Sequence, residues 1–366
     1  MTPVRIGVVG CGRIAQVMHL PYLSELPEFE LVALADISPD VLAALETRYP
    51  GVATHADAAD LISRDDVDAV AVVTPDHAQV AEAAARAGKH VFVEKPFCFT
   101  PSEGRRVLAA AEEAGVRTMV GYMRRYDPAV VALIEQLDEL GPVRIVRGRD
   151  SLGLSATPID IYTVDLPPAG SPGRASDRAA FDAKLAQGLG SDDPRRIFLY
   201  WIVLMLGVHD LAVLHAILGH PTAVTSTEVY GANHFVTSFA YESGATAFLE
   251  MGVWRTHTWT DTDFDVIADG AVASLAFGNP WVKYLPTALR VRIAGEEGAT
   301  VETRGPESFH HSFREEWRAF AEAIAAGTDP PTSGSAGLAD VELAAEIVNA
   351  IPENRLDAVA GARGGG

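Results

Sequence analysis

Over the first 120 residues the chain alternates short β-branched apolar runs with longer alanine-rich ones. Runs at 5–9, 30–35, 69–73, 90–93 and 118–120 read as strands. They are apolar on both faces, as expected of a parallel sheet covered by helices on each side. The helical runs at 78–87 and 101–114 each close on a glycine, Gly88 and Gly115, suited to a left-handed C-cap. An α/β fold follows, opening with a doubly wound parallel Rossmann domain.

After Arg124-Arg125-Tyr126-Asp127-Pro128 the rhythm changes. A helix to about Glu139 and a strand at 143–147 lead into an irregular segment from Ser151 to Arg196, rich in Pro, Gly and Asp and long enough to serve as a lid or wall. From Ala223 to Val301 apolar and polar positions alternate between turn signals, which predicts a large open, mainly antiparallel sheet with one face covered. Two closing helices are expected at 312–326 and 336–350. The domains read as 1–123, the doubly wound Rossmann domain, 124–360, a second α/β domain, and 361–366, a flexible tail. The most apolar stretch, 197–208, is shorter than the roughly 20 residues that span a bilayer, so a buried helix is expected there.

Composition narrows the function. With 366 residues, 48% of them hydrophobic, the chain can bury two cores. A net charge of −20 repels phosphate backbones and anionic membranes, so neither nucleic acid nor membrane is an expected partner. Two cysteines, Cys11 and Cys98, are too few for a disulfide framework, and no Cys/His cluster has metal-site spacing. The start, MTPVRIGVVG, reads as a first strand rather than a signal peptide, and a reducing cytoplasm is the expected location.

Gly10-Cys11-Gly12-Arg13-Ile14-Ala15 follows the first strand and opens a helix. Two glycines permit a tight turn and close approach of a pyrophosphate, and Ala15 fills the third fingerprint position. Helix N-terminal amides, from Arg13 and Ile14 onward, would face the phosphates. Asp36 ends the second strand, where a carboxylate accepts both ribose hydroxyls and repels a 2′-phosphate. No arginine follows it, so NAD is expected ahead of NADP. Cys11 reads as a small residue in the turn rather than a reactive thiol.

Further along, Val72-Val73-Thr74-Pro75-Asp76-His77, Gly88-Lys89-His90-Val91-Phe92-Val93-Glu94-Lys95-Pro96 and Val120-Gly121-Tyr122-Met123-Arg124-Arg125-Tyr126-Asp127-Pro128 occur in an order and spacing that resembles the Gfo/Idh/MocA family of sugar and cyclitol oxidoreductases. The resemblance is strong over about the first 130 residues and looser beyond. It implies that Thr74, Pro75 and His77 line the cofactor path and that Glu94 and Lys95 sit beside the nicotinamide. Lys95 would polarise the substrate oxygen and carry its proton; the bland alternative is a surface Glu-Lys pair. In such enzymes an Asp and a His four residues apart form a second catalytic element. His209 fits the His as acid/base, but Met205 stands where the Asp belongs, and Ala212 replaces another Asp. His209 would then act alone, use Asp210, take Asp160 or Asp165 as partner, or be only a hydrogen-bonded core residue. Arg124 is a candidate for cofactor or sugar contact. Tyr162, Asp210 and Tyr284 are weaker substrate candidates, as are His310 and His311.

The resemblance implies an NAD-dependent dehydrogenase or reductase acting on a secondary alcohol or ketone of a sugar, sugar derivative or cyclitol such as inositol. Two alternatives stay open: a redox-neutral enzyme that oxidises, eliminates or epimerises and then re-reduces a glycoside, and a non-catalytic NAD-binding regulator. The uncovered face of the second sheet points to a homodimer or homotetramer.

Overall fold

The computed structural model describes residues 2–153, 162, 164–166, 178–231, 233–254, 260–295, 297, 299–305 and 307–359. Asp160 and the tail at 361–366 lie outside them.

The chain forms two compact units. In the first, β1 (Val4–Val9), β2 (Phe29–Ala35), β3 (Ala53–His55), β4 (Ala69–Val72), β5 (His90–Glu94) and β6 (Thr118–Gly121) form a six-stranded sheet. Its order is β3-β2-β1-β4-β5-β6 and every pairing is parallel, the doubly wound dinucleotide-binding arrangement. The sequence reading missed β3, whose three residues give too short a pattern to register. Local chemistry sets the helix ends. Thr100 and Glu103 form a reciprocal capping box at the start of Pro101–Ala114, and Gly115 closes it at φ 68°.

This unit is not the contiguous block 1–123 read from the sequence. It comprises Met1–Tyr122, Tyr162–Gly188 and Glu316–Glu342. The late segment belongs because its apolar face completes the core. Trp317 and Phe320, on the helix Ser312–Ala326, are fully buried, and the Trp317 ring lies 4.1 Å from that of Phe92 on β5. The middle segment adds the helix Arg178–Leu189, from which Phe181 meets Phe99 edge-on at 5.0 Å and Lys184 pairs with Asp76 and Glu103.

The second unit holds an eight-stranded sheet of β7 (Val143–Gly153), β8 (Ala223–Tyr230), β9 (His234–Ala240), β10 (Thr246–Trp254), β11 (Thr260–Ala268), β12 (Ala271–Ala276), β13 (Ala288–Ala294) and β14 (Thr300–Arg304). The order is β14-β13-β12-β11-β7-β10-β9-β8. All pairs are antiparallel except β7 with β10. Alternation puts Phe239, Leu249, Val146, Phe264 and Val266 on a buried face, while Phe248, Arg147, Arg149 and Asp263 are more exposed.

A continuous helix, Pro194–Leu218, belongs to this unit. At 25 residues it is long and apolar enough to cross a membrane, longer than the 12-residue run picked out in the sequence. It is nonetheless a core helix: 83% of its most apolar window is buried in the protein. Gly207 permits its close approach to β10, because a Cβ there would collide with the Met251 sulfur.

Candidate active site

The carboxyl ends of the parallel strands carry the cofactor chemistry of the first unit. Gly10 sits at φ 91°, and a Cβ there would come within 2.8 Å of the Thr74 amide nitrogen, so the turn after β1 presses against the loop after β4. A Cβ on Gly12 would meet nothing within 4 Å. That open space, beside the part-exposed Arg13 and Ile14, fits a pyrophosphate laid against the turn. Asp36 ties the turn to β2: Oδ2 accepts from the Cys11 amide at 2.8 Å, and Oδ1 accepts from the Ser38 amide at 2.8 Å. The residues fit a nicotinamide dinucleotide, held at its phosphates by this turn and at a ribose by Asp36. Cys11 is buried with its thiol pushed up by burial and by the Asp36 charge, the opposite of a reactive thiolate.

In the loop after β4, Thr74 donates its hydroxyl to the Asp76 carbonyl at 2.9 Å, and Pro75 is exposed. His77 is buried and stacks on Phe99; burial lowers its pKa. The Thr74 carbonyl lies 2.6 Å from Nδ1 and can only accept, so the neutral ring carries its proton on Nδ1.

Glu94 ends β5 and Lys95 follows at the same edge. Lys95 is half-buried. The Glu94 carboxylate is turned inward: Oε1 meets Nε2 of His19 at 2.9 Å, and Oε2 accepts from the Lys95 amide at 3.0 Å. Burial pushes this carboxyl up, but the His19 bond and charge, the Lys95 charge and the Lys95 amide bring it below its ordinary value. Beside it stands Glu316, fully buried, with neither oxygen in a hydrogen bond; burial and the Glu94 charge push its carboxyl well up. The sequence pattern gave no hint of His19 or Glu316, since one reads as part of an apolar helix and the other as a surface acid of the closing helix.

Two more candidates fall in the first unit. Tyr162 is half-buried. Asp165 pairs its carboxylate with Arg48 at 2.8 Å. Its backbone is clasped by Gln16, whose Nε2 donates to the Asp165 carbonyl at 2.6 Å and whose Oε1 accepts from the Asp165 amide at 2.9 Å. The same Nε2 donates to the Cys11 carbonyl at 2.8 Å, so the clasp closes on the glycine turn.

In the second unit Arg124 forms a buried ionic cluster. Nη1 donates to Asp150 Oδ2 at 2.6 Å and to Asp210 Oδ1 at 2.5 Å, and Thr262 donates to Asp150 Oδ1 at 2.8 Å. Asp150 and Asp210 are 0% exposed and Arg124 5%. Burial and the neighbouring Asp150 drive the Asp210 carboxyl well above its ordinary range, against the pull of Arg124. Asp210 is therefore a bonded member of this cluster, and Asp150 is the residue the sequence reading missed.

His209 is buried at the start of the helical turn Val208–Leu218. The step from Met205 crosses a π-helical turn, Val203–Gly207, where i→i+5 bonding replaces i→i+4. The spacing of four therefore does not stack these residues as an α-helix would. His311 is buried and pushed down to about 4 by burial and by Lys283; His310 is exposed near Glu315. Both histidines line a pocket within this unit, with Arg124, Asp127, Phe277 and Asn279. Tyr284, 58% exposed at φ 64°, is not among its lining residues. Among the described residues no group of three His, Cys, Asp or Glu side chains is placed to hold a metal ion.

A glycine turn pinned by an acidic residue, with a lysine on the same strand edge, defines a nicotinamide-dependent oxidoreductase of the two-unit α/β type. The chain belongs to the Gfo/Idh/MocA oxidoreductase family, which has an NAD-binding Rossmann fold and matches residues 4–122. It is 30% identical over 339 residues to a dTDP-3,4-didehydro-2,6-dideoxy-alpha-D-glucose 3-reductase of Actinomadura kijaniata, covering 90% of each chain. It is 27% identical over 369 residues to an inositol 2-dehydrogenase of Rhizobium meliloti, covering 98% of this chain and 99% of that one. A crystal structure of a 3-ketoreductase from Actinomadura kijaniata, in complex with NADP and TDP-benzene, shares the fold at TM-score 0.72 and 22% identity, over 95% of this chain and 98% of that one.

Proposed function

We propose that the protein moves a hydride between NAD and a secondary alcohol or ketone of a sugar, sugar derivative or cyclitol. The carrying observation is Lys95 at the carboxyl end of β5, on the strand edge that bears the glycine turn, with its amide fixed by Glu94. Bound NAD supplies the hydride acceptor. Lys95, as a cationic amine, would polarise the hydroxyl oxygen of the substrate, and His209 would serve as the acid/base that takes its proton as the carbonyl forms. The sugar and inositol enzymes among its relatives support the substrate class. Asp36 favours NAD, because its carboxylate is fixed where a 2′-phosphate would bring further negative charge. We place the enzyme in the cytoplasm, as a homodimer or homotetramer joined through the exposed face of the second sheet.

The test is absorbance at 340 nm with NAD, then NADP, against free sugars, inositols, amino-sugars and nucleotide-sugars. A rise with NAD and one polyol class, lost in Lys95→Ala, is the expected result. No rise across the panel by a protein that binds NAD overturns net dehydrogenation.

A second reading is a redox-neutral cycle in which NAD stays bound between oxidation and re-reduction. The Gln16–Asp165 clasp on the glycine turn favours it, because a segment fastened beside the phosphates slows exchange. Substrate conversion without net NADH would distinguish this cycle.

A further inference from the structure

Phe92 and Glu94 lie on one face of β5, two residues apart, and Lys95 is the first residue after the strand. On the first face stands His19, from the turn Ala15–His19 that follows the glycine loop. It is fully buried, and its ring plane is fixed edge-on by Phe92 at 5.6 Å and by Trp317 at 5.6 Å. Held this way, it presents Nε2 to Glu94 at 2.9 Å, and the other Glu94 oxygen holds the Lys95 amide at 3.0 Å. One bonded chain thus runs from the glycine turn to the lysine.

We propose that His19 is a positioning residue for Lys95, acting through the Glu94 carboxylate. The inference rests on the reading of Lys95 as the group at the substrate oxygen. Fixing the amide gives the lysine side chain a fixed origin, and keeping Glu94 ionised gives its amine a nearby counter-charge. Without His19, Glu94 would be a buried carboxylate supported by the amide and charge of Lys95 alone, and burial would push it back toward its neutral acid. Lys95 would then lose that counter-charge and give up its proton at lower pH. The titratable groups around Glu94 are His19, Lys95, His77 from the loop after β4 and Glu316 from the helix Ser312–Ala326. His77 is kept neutral and Glu316 is pushed toward its neutral acid, which leaves His19 as the neighbour, besides Lys95 itself, that holds the charge of Glu94.

The chain is suited to a direct test, because it holds four lysines: Lys89, Lys95, Lys184 and Lys283. Reductive methylation with ¹³C-formaldehyde gives each a separate NMR signal, and Lys95→Ala assigns the one of interest. The expected result is a downward shift of the Lys95 titration in His19→Phe and an equal one in Glu94→Gln, with no further shift in the double variant. His19→Gln, which keeps a side-chain donor, should restore part of it. Circular dichroism and a cooperative thermal transition show that each variant retains its fold. A wild-type Lys95 titration in a folded His19→Phe protein, with Glu94→Gln shifted, overturns the inference. So does a double variant that shifts by the sum of the two. Wild-type turnover by Lys95→Ala would instead remove the catalytic reading, while the titration still decides whether His19 acts through Glu94.

Discussion

The Asp36 carboxylate accepts the backbone amide of Cys11 at 2.8 Å, so the residue that would read the cofactor ribose also braces the turn that would hold its phosphates. Recognition and turn geometry are coupled through one side chain. Asp36→Ser should cut the preference for NAD over NADP by roughly 10- to 100-fold, the scale of a charge repulsion near the protein surface. It should also weaken NAD binding itself. Titration of both coenzymes against the variant checks this, and an unchanged ratio would exclude Asp36 as the discriminator.

Gln16 joins the glycine turn to the Asp165 backbone through three hydrogen bonds. Gln16→Ala removes all three and should speed NADH dissociation by about tenfold or more, since each net bond contributes ~1 kcal/mol. Stopped-flow fluorescence measures the rate. A release rate equal to wild type would show that the clasp does not govern exchange.

Glu316 provides a pH signature in stability. Burial and the Glu94 charge raise its pKa in the folded protein, so folding favours its protonated form. That contribution is fully present below the ordinary Glu range and is lost as pH rises toward the raised value. Glu316→Gln should therefore gain stability relative to wild type as pH rises from about 4 to 8. Removing an unpaired buried carboxyl, a matter of ~1–3 kcal/mol, should raise the melting temperature by several degrees at pH 8 and by less at pH 5. Calorimetry at the two pH values decides it; an equal gain at both would mean that Glu316 titrates normally.

Trp317 is fully buried against Phe92, His19 and Phe29. Trp317→Ala should cost about 3–5 kcal/mol through the cavity it leaves. Chemical denaturation followed by intrinsic fluorescence and circular dichroism measures that loss. A loss under 1 kcal/mol would show that the late helix is dispensable to the first core.

Much of the first unit was legible in the sequence because its determinants are local. The Gly10–Gly12 turn, Asp36 at the end of β2 and the capped helix at Pro101–Ala114 each follow from residues within a few positions of one another. What escaped depends on distant partners. Asp165 reads as one acid in an irregular segment until Gln16 and Arg48 claim it. Asp210 reads as a lone acid on an apolar helix until Arg124 and Asp150 converge on it in a buried core. The Met205 to His209 spacing misleads for another reason: it assumes an α-helical period, and the backbone there is π-helical.

The order of synthesis adds a consequence of the Phe92–Trp317 contact. The ribosome releases Phe92 about 225 residues before Trp317, so the sheet face that receives the indole emerges long before its cover. A nascent chain must carry an exposed Phe92 and an uncapped Glu94–His19 pair through about three-fifths of translation, a window in which chaperones would bind it. Stalled chains ending before residue 312 should then fold late and remain protease-sensitive in the very segment that binds the nucleotide, whereas chains released past residue 342 should not.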